Sequence, residues 1–291
     1  MMNTKKTKKL KKKSQLFEIW KQLRKKKLAV VSMIVLCVLI LVAVFAPLLA
    51  PYSYETQDVR NGNAPSSAEH WLGTDKLGRD ILSRLIYGSR ASLIMGFSAI
   101  AIGAIIGITI GAISGYFGGW TDNIIMRLLD IYQAVPMLLL CIALAAILGP
   151  SLRNAIIALG VGMVPGYARM MRASVMTVRE KEYIESARSK NCSTVRIILR
   201  HIIPNAIGPM IVQITMGVGS CILSGAMLSF IGLGVQAPTA EWGAMISDAR
   251  SAIRQYPTQA LYPGLCVMIS VLSCNLLGDG LRDALDPRLR N

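Results

Sequence analysis

Long apolar runs, separated by charged or Gly/Pro-rich stretches, organise this chain. The first covers residues 28–50 without a charge. At about 1.5 Å per residue it is long enough to cross a hydrocarbon core of about 30 Å. Further runs follow at about residues 91–116, 124–148, 154–171, 205–234 and 256–277. Gly and Pro punctuate most of them, which membrane helices tolerate. The pattern predicts an all-α integral membrane fold of about six transmembrane helices. Its parts are a polar arm at 1–27, a first helix at 28–50, an external connection at 51–90, and a core at 91–291 with five further helices. A charged loop at about 173–204 interrupts that core.

Composition agrees with the pattern: 53% of the 291 residues are hydrophobic and only 16% charged, too apolar for a soluble domain of this size. Much of the net charge of +16 lies ahead of the first run, on Lys5, Lys6, Lys8, Lys9, Lys11, Lys12, Lys13, Lys21, Arg24, Lys25, Lys26 and Lys27. A basic tail leading straight into a span is what positive-inside retention and attraction to anionic lipid predict, and argues against a nucleic-acid tail. The run exceeds a signal-peptide core of about 7–15 residues, so the segment is expected to be retained.

With the arm in the cytoplasm, six crossings place both termini and the fourth connection inside. That connection carries Arg169, Arg172, Arg179, Lys181, Arg188, Lys190, Arg196 and Arg200 against Glu180, Glu182 and Glu185, an excess that fits the assignment. In the external connection, Arg60, Lys76, Arg79, Arg84 and Arg90 are balanced by Glu55, Asp58, Glu69, Asp75 and Asp80. Gly103, Gly107, Gly111 and Gly115 repeat every four residues and put one glycine stripe on one face of the second span, a signal for close helix packing. Packing within this chain and packing on a partner subunit stand level.

The six cysteines mostly lie inside apolar runs and read as small hydrophobes. With His70 and His201 the only histidines, no metal site is expected. A phosphate-cradling G-x-x-x-x-G-K-[ST] loop is absent, as are hydrolase, zincin and dinucleotide fingerprints. An ATPase or other enzyme is therefore not indicated, and no catalytic residue or cofactor is expected in this chain.

The fourth connection is the informative segment. Its pattern suggests two short helices: an amphipathic one at about 178–190, and a second capped by Ser193 or Thr194. Asn191, which tolerates the left-handed backbone of a helix end, lies between them, and Pro204 punctuates entry into span five. A stiff elbow of this kind suits transmission of motion between a channel and a peripheral motor; a solvated charged loop is the bland alternative.

This segment resembles the EAA loop of ABC importer permeases, whose pattern is E-A-A, three residues, G, nine residues, I-x-L-P. Glu185, Ser186, Ala187, Asn191, His201, Ile203 and Pro204 fall at that spacing, with Ser186 for Ala, Asn191 for Gly, His201 for Ile and Ile203 for Leu as departures. Residues 70–75 (HWLGTD), 78–84 (GRDILSR), 87–93 (YGSRASL), 167–172 (YARMMR), 229–234 (SFIGLG), 241–243 (EWG) and 278–288 (GDGLRDALDPR) resemble, in order, the dipeptide, oligopeptide and nickel branch of these permeases. Val164 stands where that branch commonly has Trp.

The resemblance implies a type I importer permease, the second of two similar membrane subunits, in a bacterial cell membrane. Its partners would be the other permease, two cytoplasmic ATPases that bind ATP and Mg, and an external substrate-binding protein. Di- or oligopeptides are the implied cargo, nickel or a metal-chelator complex the alternative. A secondary transporter is the rival from another class, but no convincing inverted repeat is present. Glu185, Ser186, Ala187, Arg188, Asn191 and Pro204 would form the ATPase-coupling loop, with a local pair of Glu185 with Arg188 or Ser189 as the plain reading of that glutamate. Asp130, Tyr132 and Gln133 are candidates for the translocation pathway, although Asp130 could simply pair with Arg127. Glu241 and Trp242 are candidates for binding-protein contact, or else for a lid packed over the pore. Arg282, Asp283, Asp286 and Arg288 are expected to form a surface salt-bridge cluster.

Overall fold

The structure, a computed structural model, describes residues 20–285. The expected basic arm lies mostly outside that range, as do Asp286 and Arg288. Among the described residues the regular structure is helical, apart from one antiparallel bridge between Thr74 and Asp80. The charge-free first run forms α1, Lys27–Val44, extended by one turn at Ala46–Leu49.

The second run forms α2, Ile81–Phe117. Its 37 residues span about 55 Å, well beyond a hydrocarbon core. It starts ten residues before the apolar run because Asp80 caps it, accepting a 2.7 Å bond from the Ser83 amide. Residues 81–90, expected in a connection, are thus helical. Left-handed Gly118 ends it, at φ +66°.

The third run is not one continuous helix. α3, Gly119–Gln133, and α4, Met137–Leu148, meet at an 80° bend. Pro136 has no amide hydrogen to continue the helix and disfavours helical backbone at the residue before it. Ser151 then caps α5, Leu152–Arg179, by accepting from the Asn154 amide at 3.1 Å.

The glycine stripe packs within the chain. A β-carbon at Gly103, Gly107 or Gly115 would stand 2.8, 2.9 and 2.8 Å from the carbonyl oxygens of Gly160, Val164 and Arg172, and one at Gly111 would overlap that of Ala168. Both series advance by four residues in the same direction, so α2 and α5 run parallel. Parallel neighbours require one crossing between them, which the broken α3–α4 pair supplies. By length and composition, α1, α2, α7 (Gly208–Phe230) and α9 (Thr258–Leu285) qualify as spans, and the bent pair makes a fifth. α5 falls short because it carries Arg153, Arg169, Arg172 and Arg179.

Between α5 and α7 the chain makes α6, Glu182–Ser189. Between α7 and α9 it makes α8, Trp242–Ala249, which lies on α7, α9 and α2 at the end where α2 begins. Residues 50–80 cap the same end. An ion network ties this cap to α8: Arg79 bonds Asp75 at 2.6 Å and Asp248 at 2.9 Å, with buried Arg84 at 3.7 Å from both carboxylates. Gln259 fastens α9 to the cap through Asn63 and the Thr74 carbonyl.

Candidate functional site

At the end opposite the cap, α5 leads into the charged elbow. α6 is amphipathic: Ile184 and Ala187 are buried, while Glu185, Ser186 and Arg188 are exposed. The helix begins at Glu182, later than expected, because α5 absorbs residues 178 and 179. Asn191 adopts φ +58°, the left-handed conformation anticipated for it. Its amide donates to the Arg188 carbonyl at 2.8 Å, and the next amide, of Cys192, reaches back to Ala187, which closes the helix end. A short helix at Thr194–Ile197 follows; Ser193 is at its start but its side chain makes no capping bond. The backbone then widens over Ile198–Ile202 before Ile203–Ala206, where Pro204 occupies the first turn.

Glu185 has no ion pair among the described residues, so the local pair with Arg188 does not form. Arg188 instead lies over the Tyr116 ring, 5.2 Å from its centroid, while Arg179 donates to the Gly115 and Tyr116 carbonyls at 3.1 Å. Both arginines join the elbow to the end of α2. Tyr183, Val195 and Leu199 are exposed, giving the elbow apolar projections that charge-based reading overlooked.

A cavity of 580 Å³ lies at the α3–α4 bend, between α5, α7 and α9. Tyr132 and Gln133 line it from the end of α3, and Gln213, Ser220 and Asn275 from α7 and α9. None of its lining residues carries a full charge. The Tyr132 hydroxyl is buried without a hydrogen-bond partner, which leaves a donor and acceptor unused at the wall. Tyr167 closes another side, its hydroxyl donating to the Gln213 carbonyl at 3.3 Å. Gln213 and Asn275 were detectable as amides inside apolar runs, where polar groups are costly.

Asp130 does not line this cavity. It pairs with Arg169 on α5 at 2.6 Å rather than with Arg127, since the last turn of α3 crosses α5. A second pair, Asp122 with Arg172, joins the same two helices and also engages the Ser114 hydroxyl. Together they hold α3 to the helix that continues into the elbow.

Glu241 and Trp242 require a correction, because both are 1% exposed. Glu241 accepts from the Ser92 hydroxyl and, as the cap of α8, from the Ala244 amide, each at 2.9 Å. The Trp242 ring lies on Gly88 and its indole donates to the Leu85 carbonyl at 3.1 Å. These residues clamp α8 onto α2 and offer no direct surface to a soluble partner. Asp283 pairs with Lys26 at 2.9 Å, and the expected terminal cluster lies partly outside the described residues.

Residues 107–291 match the family model described as binding-protein-dependent transport system inner membrane component, and residues 14–65 match that of the N-terminal TM domain of oligopeptide transport permease C. The dipeptide transport system permease protein DppC of Alkalihalophilus pseudofirmus is 49% identical over 274 residues, covering 94% of this chain and 90% of the relative. The glutathione transport system permease protein GsiD of Escherichia coli O157:H7 is 45% identical over the same shares. Among solved structures, the MetNI methionine ABC transporter in an inward-facing conformation aligns with a TM-score of 0.58 at 20% identity. It covers 71% of this chain and 98% of that one, a likeness of fold.

Proposed function

The chain belongs to the binding-protein-dependent transport system inner membrane component family, the ABC importer permeases, and on that premise we propose that it carries di- or oligopeptides through the cavity at the α3–α4 bend. The observation that carries this reading is the chemistry of the cavity wall. Gln133, Gln213, Ser220 and Asn275 offer donors and acceptors that can replace water around a peptide backbone, with the partnerless Tyr132 hydroxyl buried in the same wall. A wall without fixed charge lets peptides of either sign pass, and leaves selection to the external binding protein. Two relatives whose names specify dipeptide and glutathione support the same cargo class.

The elbow is the coupling element. It would seat in a groove on one of two cytoplasmic ATPases, with Glu185 and the exposed Tyr183, Val195 and Leu199 at the contact. ATP and Mg would be bound there, and none in this chain. Closure of the ATPase pair would displace α6 and α5, and the two ion pairs would pass that displacement to α3 and the cavity. On this reading the elbow and both termini lie in the cytoplasm, and the cap with α8 outside. An apolar groove of 680 Å³, lined by Leu138, Ile142, Met227, Phe230, Met268 and Leu272, shares Asn275 with the cavity. It is the natural seat for the second permease subunit, whose surface would complete the pathway.

Thiol protection tests the cavity assignment. In a cysteine-free background, Gln213→Cys and Asn275→Cys should react with a small water-soluble maleimide during ATP turnover, and transported dipeptide should slow that reaction. Labelling indifferent to peptide in both variants would remove the cavity from the pathway.

A further inference from the structure

A second groove of 550 Å³ runs between α1, α2, α7 and α9, away from the peptide cavity. Met33, Cys37, Ile40, Phe97, Ile105 and Leu277 are among its lining residues, and its walls are almost wholly apolar. Its distinguishing feature is the end of α1. The lining residues Ile40, Cys37 and Met33 continue in helical register through Val30 to Lys26, so the stripe that faces the groove terminates in a cation.

The end of α1 is fixed in place. Leu23 and Ala29 pack on Gly280 of α9, which has no room for a side chain, and Lys26 pairs with Asp283 while its own side chain stays 55% exposed. Arg24, Lys25 and Lys27 beside it are exposed, and Arg282 adds a further cation on α9, against Asp279 and Asp283. From Lys26 to Ile40 the stripe rises about 21 Å, which reaches from the headgroup region through one leaflet of a core about 30 Å thick.

We propose that this groove is a binding site for one anionic phospholipid, with an acyl chain laid along Met33–Ile40 and the phosphate held by Lys26 and its basic neighbours. A zwitterionic lipid could fill the apolar part, but its headgroup gains little from the cationic cluster. The anionic headgroup is therefore what the arrangement selects. The inference depends on the chain lying in a membrane, and not on the identity of the transported cargo.

The test uses the assembled transporter, extracted from bilayers of equal phosphatidylglycerol and phosphatidylcholine, with retained lipid counted by native mass spectrometry. The wild-type assembly should retain phosphatidylglycerol in preference. Lys26→Ala should lower that occupancy about fivefold, the effect of roughly one surface charge. Ala101→Trp, at an exposed position of the groove wall, should displace the lipid while the assembly stays intact. Equal retention of the two lipids, or wild-type phosphatidylglycerol occupancy in Ala101→Trp, would overturn the proposal.

Discussion

Gly111 illustrates how one hydrogen atom in place of a side chain fixes a helix pair. A β-carbon there would overlap the Ala168 carbonyl oxygen, and backbone cannot step aside as a side chain can. Gly111→Val should destabilise the protein by about 1–3 kcal/mol, the range for overpacking, measured as a lowered midpoint of thermal unfolding in detergent. Tyr132→Phe makes the opposite case. The hydroxyl has no internal partner, so its removal should leave stability unchanged and lower the rate of peptide uptake. Unchanged uptake would deny the hydroxyl a role. The four-residue glycine spacing was legible in the sequence as a close approach. Its partner was not, because spacing specifies a distance and the answering carbonyls of residues 160, 164, 168 and 172 are set only once α5 lies parallel. Trp242 shows the same limit. An aromatic after Pro238 and Glu241 reads equally as a surface anchor or as part of a packed lid, and the bonds that bury it come from Leu85 and Ser92, about 150 residues away.

At the scale of the element, the elbow was the best anticipated part of the chain, since its determinants are local. Asn191 takes the left-handed turn that its residue type suits, and α6 buries Ile184 and Ala187 at helical spacing. Asn191→Gly should therefore preserve coupling. Asn191→Pro should abolish it, because proline cannot adopt φ +58° and loses the amide that bonds Arg188. Co-purification of the ATPase together with uptake distinguishes the two variants, and full function in Asn191→Pro would mean that the turn is not needed. The α3–α4 bend was less legible. Pro136 was visible, but an apolar run that continues past it looks like one span. Both halves lie on α5, α3 through the pairs of Asp122 and Asp130 and α4 through Cys141 against Ala158 and Gly162, and neither contact is visible in a single run.

The whole molecule joins an elbow at one end to an uncharged cavity at the bend and a braced cap at the other. Glu185 is exposed and unpaired among the described residues, so its charge is free for a partner. Glu185→Lys should leave the fold and thermal stability unaltered, because the change removes no internal contact. It should nevertheless separate ATP hydrolysis from uptake, and wild-type uptake in this variant would take Glu185 out of the coupling surface. Six apolar runs were legible from hydrophobicity; four helices and the bent pair qualify as spans by length and composition, and the parallel contact of α2 with α5 requires a crossing between those two. Which residues line the cavity was not legible, because Gln213 and Ser220 on α7 and Asn275 on α9 meet Tyr132 only in the folded bundle. The measurement that bears most directly on the central claim is uptake of labelled dipeptide into proteoliposomes holding this chain with its partner permease, two ATPases and the binding protein. Uptake is compared with ATP and with a non-hydrolysable analogue. Accumulation against a gradient with ATP, and none with the analogue, is the predicted result; dipeptide flux that proceeds equally without hydrolysis would contradict the account.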